Sequence, residues 1–346
     1  MKAARKVAGA LAGVAVAGVL ASQALRIHRR WDFRRRVALV TGGSRGLGLV
    51  LARQLAKEGA RVVILARDAA EIERACCDLA RFGTDVVGIA CDVRDEFQVS
   101  CAIQKAVEQF GRIDVLINNA GVIQVGPIEN MTKGDFEDAM AVHLWGPVHT
   151  MLAAIPIMRR QGQGRIVNIS SIGGRVALPH LVPYTASKFA LVGLSDAMHT
   201  ELAKDNILVT TVCPGLMRTG SPINATIKGR HEEEYAWFAI SGSLPLLTMS
   251  AERAAKQILR ACRYGDAHVV LSLPARIVAL CSAVFPKLTL EALSVVDRLL
   301  PAPAGASGFE PKPGLESPSR WAPSLLTRLS DNAAKRSNEI PHNGRH

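Results

Sequence analysis

Val37-Ala38-Leu39-Val40-Thr41-Gly42-Gly43-Ser44-Arg45-Gly46-Leu47-Gly48 joins an apolar run to the helical pattern of residues 49–58. The first four residues suit a buried strand, and the glycines after them let the chain turn sharply. They also let a pyrophosphate approach the first amides of the following helix, where the dipole favours negative charge. A tight structural turn is the plainer reading of such a stretch. Its position between a strand and a helix favours a cofactor site.

The rest of the body repeats the alternation. Short β-branched runs at residues 37–40, 62–65, 86–90, 115–117, 166–169, 207–212 and 268–271 are separated by helix-like segments. Continuous Val/Ile runs, each followed by a helix, predict parallel strands covered on both faces. This is an α/β architecture, a doubly wound parallel sheet in a single catalytic domain, and such sheets take ligands beyond the carboxyl ends of their strands. No repeat of solenoid length is visible.

The TGxxxGxG spacing of Thr41 to Gly48 resembles the short-chain dehydrogenase/reductase family, and the resemblance extends over residues 36–272. Asp92-Val93 matches the adenine-side acidic position, Asn119-Ala120-Gly121 the NAG motif, and Tyr184-x-x-x-Lys188 the catalytic pair. Ser171 stands at the family's spacing for its catalytic serine, with Ser170 as the alternative register. Pro214-Gly215 with Thr219 matches the segment that contacts the nicotinamide carboxamide. The resemblance implies a Rossmann fold, a nicotinamide cofactor held by Gly42, Ser44, Arg45, Gly46, Leu47 and Gly48 among others, and frequent dimers or tetramers.

The chemistry follows from residue type. Four residues apart on a helix, Tyr184 and Lys188 line one cleft. A cation beside a phenol favours the phenolate and is expected to lower its pKa from about 10 toward the working range. In the reducing direction Tyr184 protonates a carbonyl oxygen that Ser171 orients. By resemblance Lys188 also holds the nicotinamide ribose. Where the family carries an Asn that holds a relay water, this chain has His143, in Val142-His143-Leu144-Trp145-Gly146. A neutral imidazole offers one donor and one acceptor, so His143 either substitutes in the relay or merely packs within its helix and weakens it. No HExxH or paired Cys/His spacing occurs, so no metal is expected.

The second strand speaks to cofactor choice. NAD enzymes place a carboxylate at its end, where it would repel a 2′-phosphate. Here the segment reads Leu65-Ala66-Arg67-Asp68, with Ala66 at that place. Arg67 and Arg45 offer charge-assisted bonds to phosphate, so NADP (NADPH) is the expected cofactor. The alternative is two solvated arginines, with Asp68 serving the ribose or capping a helix.

Of 346 residues, 49% are hydrophobic and 21% charged, enough for a sizeable core. The net charge of +12 is concentrated at the start, where residues 1–36 hold nine Lys/Arg against Asp32. The nearly neutral remainder, without zinc-finger or basic-helix patterns, argues against a nucleic-acid partner. Seven Cys without CxxC spacing read as reduced thiols. Residues 7–25 are uncharged over 19 positions and flanked by three basic residues before and six Arg after. We read residues 1–35 as a single-pass membrane anchor with the catalytic domain on the cytoplasmic side. A cleaved signal and an Arg-rich presequence are the alternatives. The catalytic domain is assigned to residues 36–274, an apolar helical extension, as core or dimer face or else a membrane-surface element or lid, to 275–300, and a disordered tail to 301–346.

These readings converge on a membrane-anchored, NADPH-dependent oxidoreductase interconverting a carbonyl and an alcohol. Residues 216–248, with Tyr235, Trp237, Phe238, Leu244, Leu246 and Leu247, suggest a small lipophilic substrate, although ordinary core would look the same. The rivals are a membrane-associated dinucleotide-binding scaffold with little turnover, motivated by His143, and an NAD-linked alcohol oxidase.

Overall fold

The computed structural model of the chain describes residues 23–340 with the exception of Leu25, Leu246 and Leu326. Seven parallel strands form the central sheet: β1 (Val37–Thr41), β2 (Arg61–Ala66), β3 (Val86–Ala90), β4 (Val115–Asn118), β5 (Gly164–Ile169), β6 (Ile207–Cys213) and β7 (His268–Val270). Their order is β3-β2-β1-β4-β5-β6-β7, with Val37 opposite Arg61 and Ala38 opposite Val115. The chain therefore reverses its direction of travel at β1 and β4. That switch point is where an open α/β sheet forms its ligand crevice.

Side chains alternate across each strand, so one continuous apolar run feeds two cores. Val37, Leu39, Val63 and Leu65 face α3 (Glu96–Phe110), α4 (Gly146–Gln161) and α5 (Val182–Leu202). Ala38, Val40, Val62 and Ile64 face α1 (Gly46–Lys57), α2 (Ala69–Ala80) and α6 (Ala251–Tyr264). The doubly wound reading is thus the observed fold. The helix Lys133–Met140, a π-turn at Ala141–Trp145 and α4 run on as one rod. Lys133–Arg160 is long and apolar enough to cross a membrane by length and composition, but its buried face packs against the sheet and α5. The seven cysteines are free.

One boundary and the character of two segments differ from expectation. The body begins before residue 36, because Phe33 is fully buried and Trp31 donates its N–H to the Arg263 carbonyl at 2.9 Å. Two arginines of the basic flank are tied to the body, Arg26 to Asp266 at 2.6 Å and Arg36 to Asp114 at 2.9 Å. Arg165, buried in β5, explains the docking: its guanidinium lies 4.2 Å over the Trp31 ring and donates to the Arg29 carbonyl at 2.9 Å. The hydrophobic run of residues 7–25 lies outside the described residues apart from Gln23 and Ala24.

The apolar extension forms α7 (Leu273–Val284) and α8 (Pro286–Asp297), broken at Phe285-Pro286. It is not core, since Leu280 and Leu288 are each 65% exposed. The tail, expected to be disordered, is folded over its described residues, 301–340 apart from Leu326. Lys312–Pro313 pairs antiparallel with Thr226–Ile227, and α9 (Arg328–Arg336) buries Ala333 and Ala334. Its contacts use small residues: Gly314 lies against the Pro222 carbonyl, and Ser330 Oγ donates to the Gly242 carbonyl at 3.0 Å. Packing through Gly, Ala and Ser leaves no hydrophobic period to read.

Candidate functional site

The strand-to-helix turn needs its glycines. Gly42 and Gly46 have φ of +61° and +56°, and a Cβ on Gly48 would overlap the Gly42 carbonyl. The end of β4 clamps this turn. Asn119 Nδ2 donates to the carbonyls of Thr41 and Gly42 at 3.1 and 3.2 Å, and Thr41 Oγ1 accepts the N–H groups of Asn119 and Ala120 at 3.0 Å. Above it, at the carboxyl ends of the strands, lies a cleft of about 680 Å³.

That cleft is lined by Gly42, Ser44, Arg45, Gly46, Leu47 and Arg67, by Asp92, Val93, Asn119, Ala120 and Gly121, and by His143, Tyr184, Lys188 and Thr219. The structure therefore brings most of the sequence-predicted residues to one surface. Gly48 sits behind it in α1, and Ser171, Pro214 and Gly215 are not among its lining residues, whereas Ser170 is. Pro214 accepts the Ile172 N–H at 2.7 Å, and Gly215 packs against Ser272 and Ala275. Pro214 and Gly215 shape the loop below the cleft. Thr219 is buried, its Oγ1 2.7 Å from Ser221 Oγ.

The two adjacent serines differ in their contacts. Ser171 Oγ lies beside the Tyr184 phenol and accepts the Gly173 N–H at 3.0 Å, which leaves its own proton to donate. Ser170 is turned away, its Oγ donating to the Lys188 carbonyl at 3.0 Å. Lys188 Nζ lies 5.6 Å from the Tyr184 ring centroid and donates to the Ile169 carbonyl at 3.0 Å. Lys188 is buried and Tyr184 half-buried, and their desolvation reverses one expectation. Burial pushes the Tyr184 phenol up to about 12, against a smaller opposing effect of the Ser171 bond. Burial likewise pulls the Lys188 ammonium down to about 7. In a buried pair the missing water outweighs a cation held several ångströms from the ring.

His143 sits on the π-turn, fully buried. Its Nε2 accepts the Val122 N–H at 3.1 Å, which makes Nδ1 the protonated nitrogen, 2.8 Å from Ser187 Oγ. Ser187 in turn donates to the Tyr184 carbonyl at 2.8 Å. The imidazole meets the Tyr184 ring edge-on at 5.4 Å between centroids. Both ring nitrogens thus have protein partners, and burial, with the Lys188 charge, holds the ring well below 6.5. The one-residue bulge of a π-turn re-aims a side chain, here toward the Val122 amide.

Beside the glycine turn Glu71 intervenes. Its carboxylate accepts from Ser44 Oγ and Arg45 Nη1, both at 2.9 Å. Asp68 caps α2 by accepting the Glu71 N–H at 2.7 Å, and Arg67 is exposed at the mouth. Asp92 is held by Arg94, with Nε and Nη2 at 2.9 and 2.6 Å. Sequence reasoning missed Glu71, Arg94 and Ser187. The Asp68-x-x-Glu71 spacing carries a helix-start signal that places Glu71 in the first turn of α2, beside the cleft. Nothing in the sequence marks Glu339, which also lines it.

A family model described as short chain dehydrogenase matches residues 36–228. An uncharacterized oxidoreductase of Bacillus subtilis is 38% identical over 186 residues, 54% of this chain and 72% of the relative. A ketoacyl reductase of Nostoc sp. is 35% identical over 193 residues, covering 56% of this chain and 67% of its own. Among solved structures, L-sorbose reductase of Gluconobacter frateurii, complexed with NADPH and L-sorbose, superposes with a TM-score of 0.63 at 27% identity, over 70% of this chain and 97% of that one.

Proposed function

Because the chain belongs to the short-chain dehydrogenase family, an oxidoreductase family that binds a nicotinamide dinucleotide, we propose that it interconverts a carbonyl and an alcohol, with NADPH as reductant and Tyr184 as proton donor. The placing of Tyr184 and Lys188 in a glycine-cradled cleft, with Ser171 beside the phenol, carries this reading. The cleft fits a dinucleotide. The positive-φ turn opens the first amides of α1, and Ala66 leaves the end of β2 without a carboxylate.

When bound, the nicotinamide supplies hydride to the carbonyl carbon. Tyr184 keeps its proton at neutral pH, since burial has raised its pKa, and releases it to an oxygen that is gaining charge. Ser171 donates to that same oxygen and fixes its position. Lys188, anchored on the Ile169 carbonyl, stabilises the phenolate left behind. His143 positions Tyr184 by holding Ser187 against the Tyr184 carbonyl.

A lipophilic substrate is supported by the surroundings of Tyr184. Its ring packs at the margin of an apolar cluster containing Leu181, Ile227, Tyr235 and Ala239, with Trp237 and Phe238 alongside. Leu246 lies outside the described residues. We assign the protein to a membrane, catalytic domain on the cytoplasmic side, on the charge-free run of residues 7–25 and its flanking arginines. The test is a panel of aliphatic, steroid-like and polar carbonyls with NADPH or NADH, followed by loss of reduced-nicotinamide absorbance. Turnover restricted to polar sugars would refute the lipophilic assignment. NADPH binding with no oxidation across the panel favours the second reading, a dinucleotide-binding scaffold, which the engagement of both His143 nitrogens supports.

A further inference from the structure

Residues 337–339 of the tail meet the cofactor turn, and Glu339 lies in the cleft at the place where a dinucleotide's phosphates would meet the chain. Gly46, the first residue of α1, donates its N–H to the Ser337 carbonyl at 2.9 Å. Gly220, across the cleft, donates its N–H to Glu339 Oε2 at 2.6 Å. A Cβ on Gly46 would stand 2.9 Å from Glu339 Oε1, so the glycine cradle is filled by this carboxylate. Asn338, between them at φ +56°, donates to the carbonyls of Ser44 and Glu71 at 3.0 and 3.3 Å and accepts from Arg74 Nε at 3.0 Å. Upstream, α9 is packed through Ala333 and Ala334, and Arg53 Nη1 holds the Arg336 carbonyl at 3.0 Å.

Resting on the dinucleotide reading above, we propose that Ser337 to Glu339 form an internal ligand of the cofactor site, an autoinhibitory strap that NADPH must displace to bind. The two donors are the kind that bind an oxyanion: a helix N-terminus with its dipole and a second backbone amide facing it. The strap presents a carbonyl and a carboxylate to them, which are the acceptor types a pyrophosphate would present. One N–H cannot serve both. A carboxylate left beside a pyrophosphate would also repel it in a buried site. A lid that closed over a bound cofactor would bring cations or donors toward the phosphates. This segment brings acceptors toward the protein's own donors.

Burial of Glu339 supports the same picture, since it pushes the carboxyl up to about 7 against the opposing Gly220 N–H and Arg45, with Glu71 adding to the rise. A carboxyl so placed gives up hydration that it regains on release, which keeps the docked state only modestly favoured.

The experiment compares NADPH affinity by calorimetry for the full chain, a chain lacking residues 337–346, and Arg74→Ala, which frees Asn338 without altering the cleft. Hydrogen exchange over residues 328–340 is followed in the full chain with and without NADPH. We expect the deletion to bind at least 10-fold more tightly, Arg74→Ala to fall between, and exchange to accelerate when NADPH saturates the full chain. If the deletion does not fold, Arg74→Ala and Asn338→Ala with the exchange data decide alone. Equal or weaker binding by the folded variants, or exchange slowed by NADPH, overturns the strap and leaves the dinucleotide reading standing. Binding by none of the proteins overturns both.

Discussion

Glu71 Oε1 stands 2.9 Å from Arg45 Nη1, and its second oxygen accepts from Ser44. The arginine expected to greet a 2′-phosphate is therefore already neutralised by a carboxylate from the first turn of α2. Arg67, without such a partner among the described residues, is left as the more available cation at the mouth of the cleft. Glu71→Gln should tighten NADPH binding more than NADH binding, because it removes a negative charge that only the extra phosphate feels. Arg67→Ala should weaken NADPH by about 1.5 to 3 kcal/mol, roughly 10- to 100-fold, and leave NADH nearly unchanged. Titration of both cofactors by fluorescence decides this, and equal affinities of the unaltered protein for the two would end the NADP assignment.

Tyr184→Phe keeps the ring that packs against His143 and removes the hydroxyl beside Ser171. Turnover should fall by about 100-fold or more with cofactor affinity retained. Ser171→Ala should lower turnover less, since the phenol still holds its proton. Near-normal rates in Tyr184→Phe would refute the mechanism.

Lys188 gives a stability signature. Folded, its ammonium titrates at about 7 against an ordinary 10.5. Between pH 7 and 10 the unfolded chain thus carries a proton that the folded chain lacks, and stability should rise with pH across that window from this group. Lys188→Met should remove that rise and be at least as stable near neutrality. Denaturant melts of both proteins at pH 7, 8.5 and 10 measure the difference. Parallel curves would show that the buried lysine is not shifted.

His143 behaves in the opposite pH range. Its ring is held well below 6.5, so it stays neutral at neutral pH, and no acid limb near 6.5 in the rate profile should arise from it. On acidification the unfolded chain takes up a proton near 6.5 that the folded ring refuses, so stability falls as pH drops below that point. His143→Asn should flatten this loss. If Asn also raises turnover uniformly above pH 7, the imidazole was only packing; an unchanged high-pH rate would assign it a working place in the relay.

The N-terminal segment separates into two parts. Removing residues 1–22 should release a folded, soluble body from membranes that otherwise retain the protein in carbonate. Removing residues 1–36 should destabilise it severely, because Phe33 and the Arg36–Asp114 pair go with it and Arg165 loses the Trp31 ring. Purified native protein whose first residue lies near Gln23 would rule out the anchor.

Much was legible from the sequence alone. The seven strands, their parallel direction, the glycine turn and the helix that presents Tyr184 and Lys188 are each written within about ten consecutive residues, as β-branched runs, obligatory glycines and a four-residue helical spacing. The ordered motifs also placed one end of the cleft relative to the other, because strand order fixes which carboxyl ends are neighbours. Only the tertiary structure decided the rest. Ser171 rather than Ser170 meets the phenol because of how β5 ends against α5. Burial raised the Tyr184 pKa where a nearby cation was expected to lower it. His143 is satisfied by Val122 and by Ser187, which no spacing connects to it. The donors of the cofactor turn meet Ser337 to Glu339, with Asn338 binding Ser44 across 294 residues of sequence. Periodicity and turn chemistry act locally and survive in the sequence. Desolvation and long-range hydrogen bonds depend on which surfaces are finally pressed together, and a tail that docks through Gly, Ala and Ser carries no pattern that announces it.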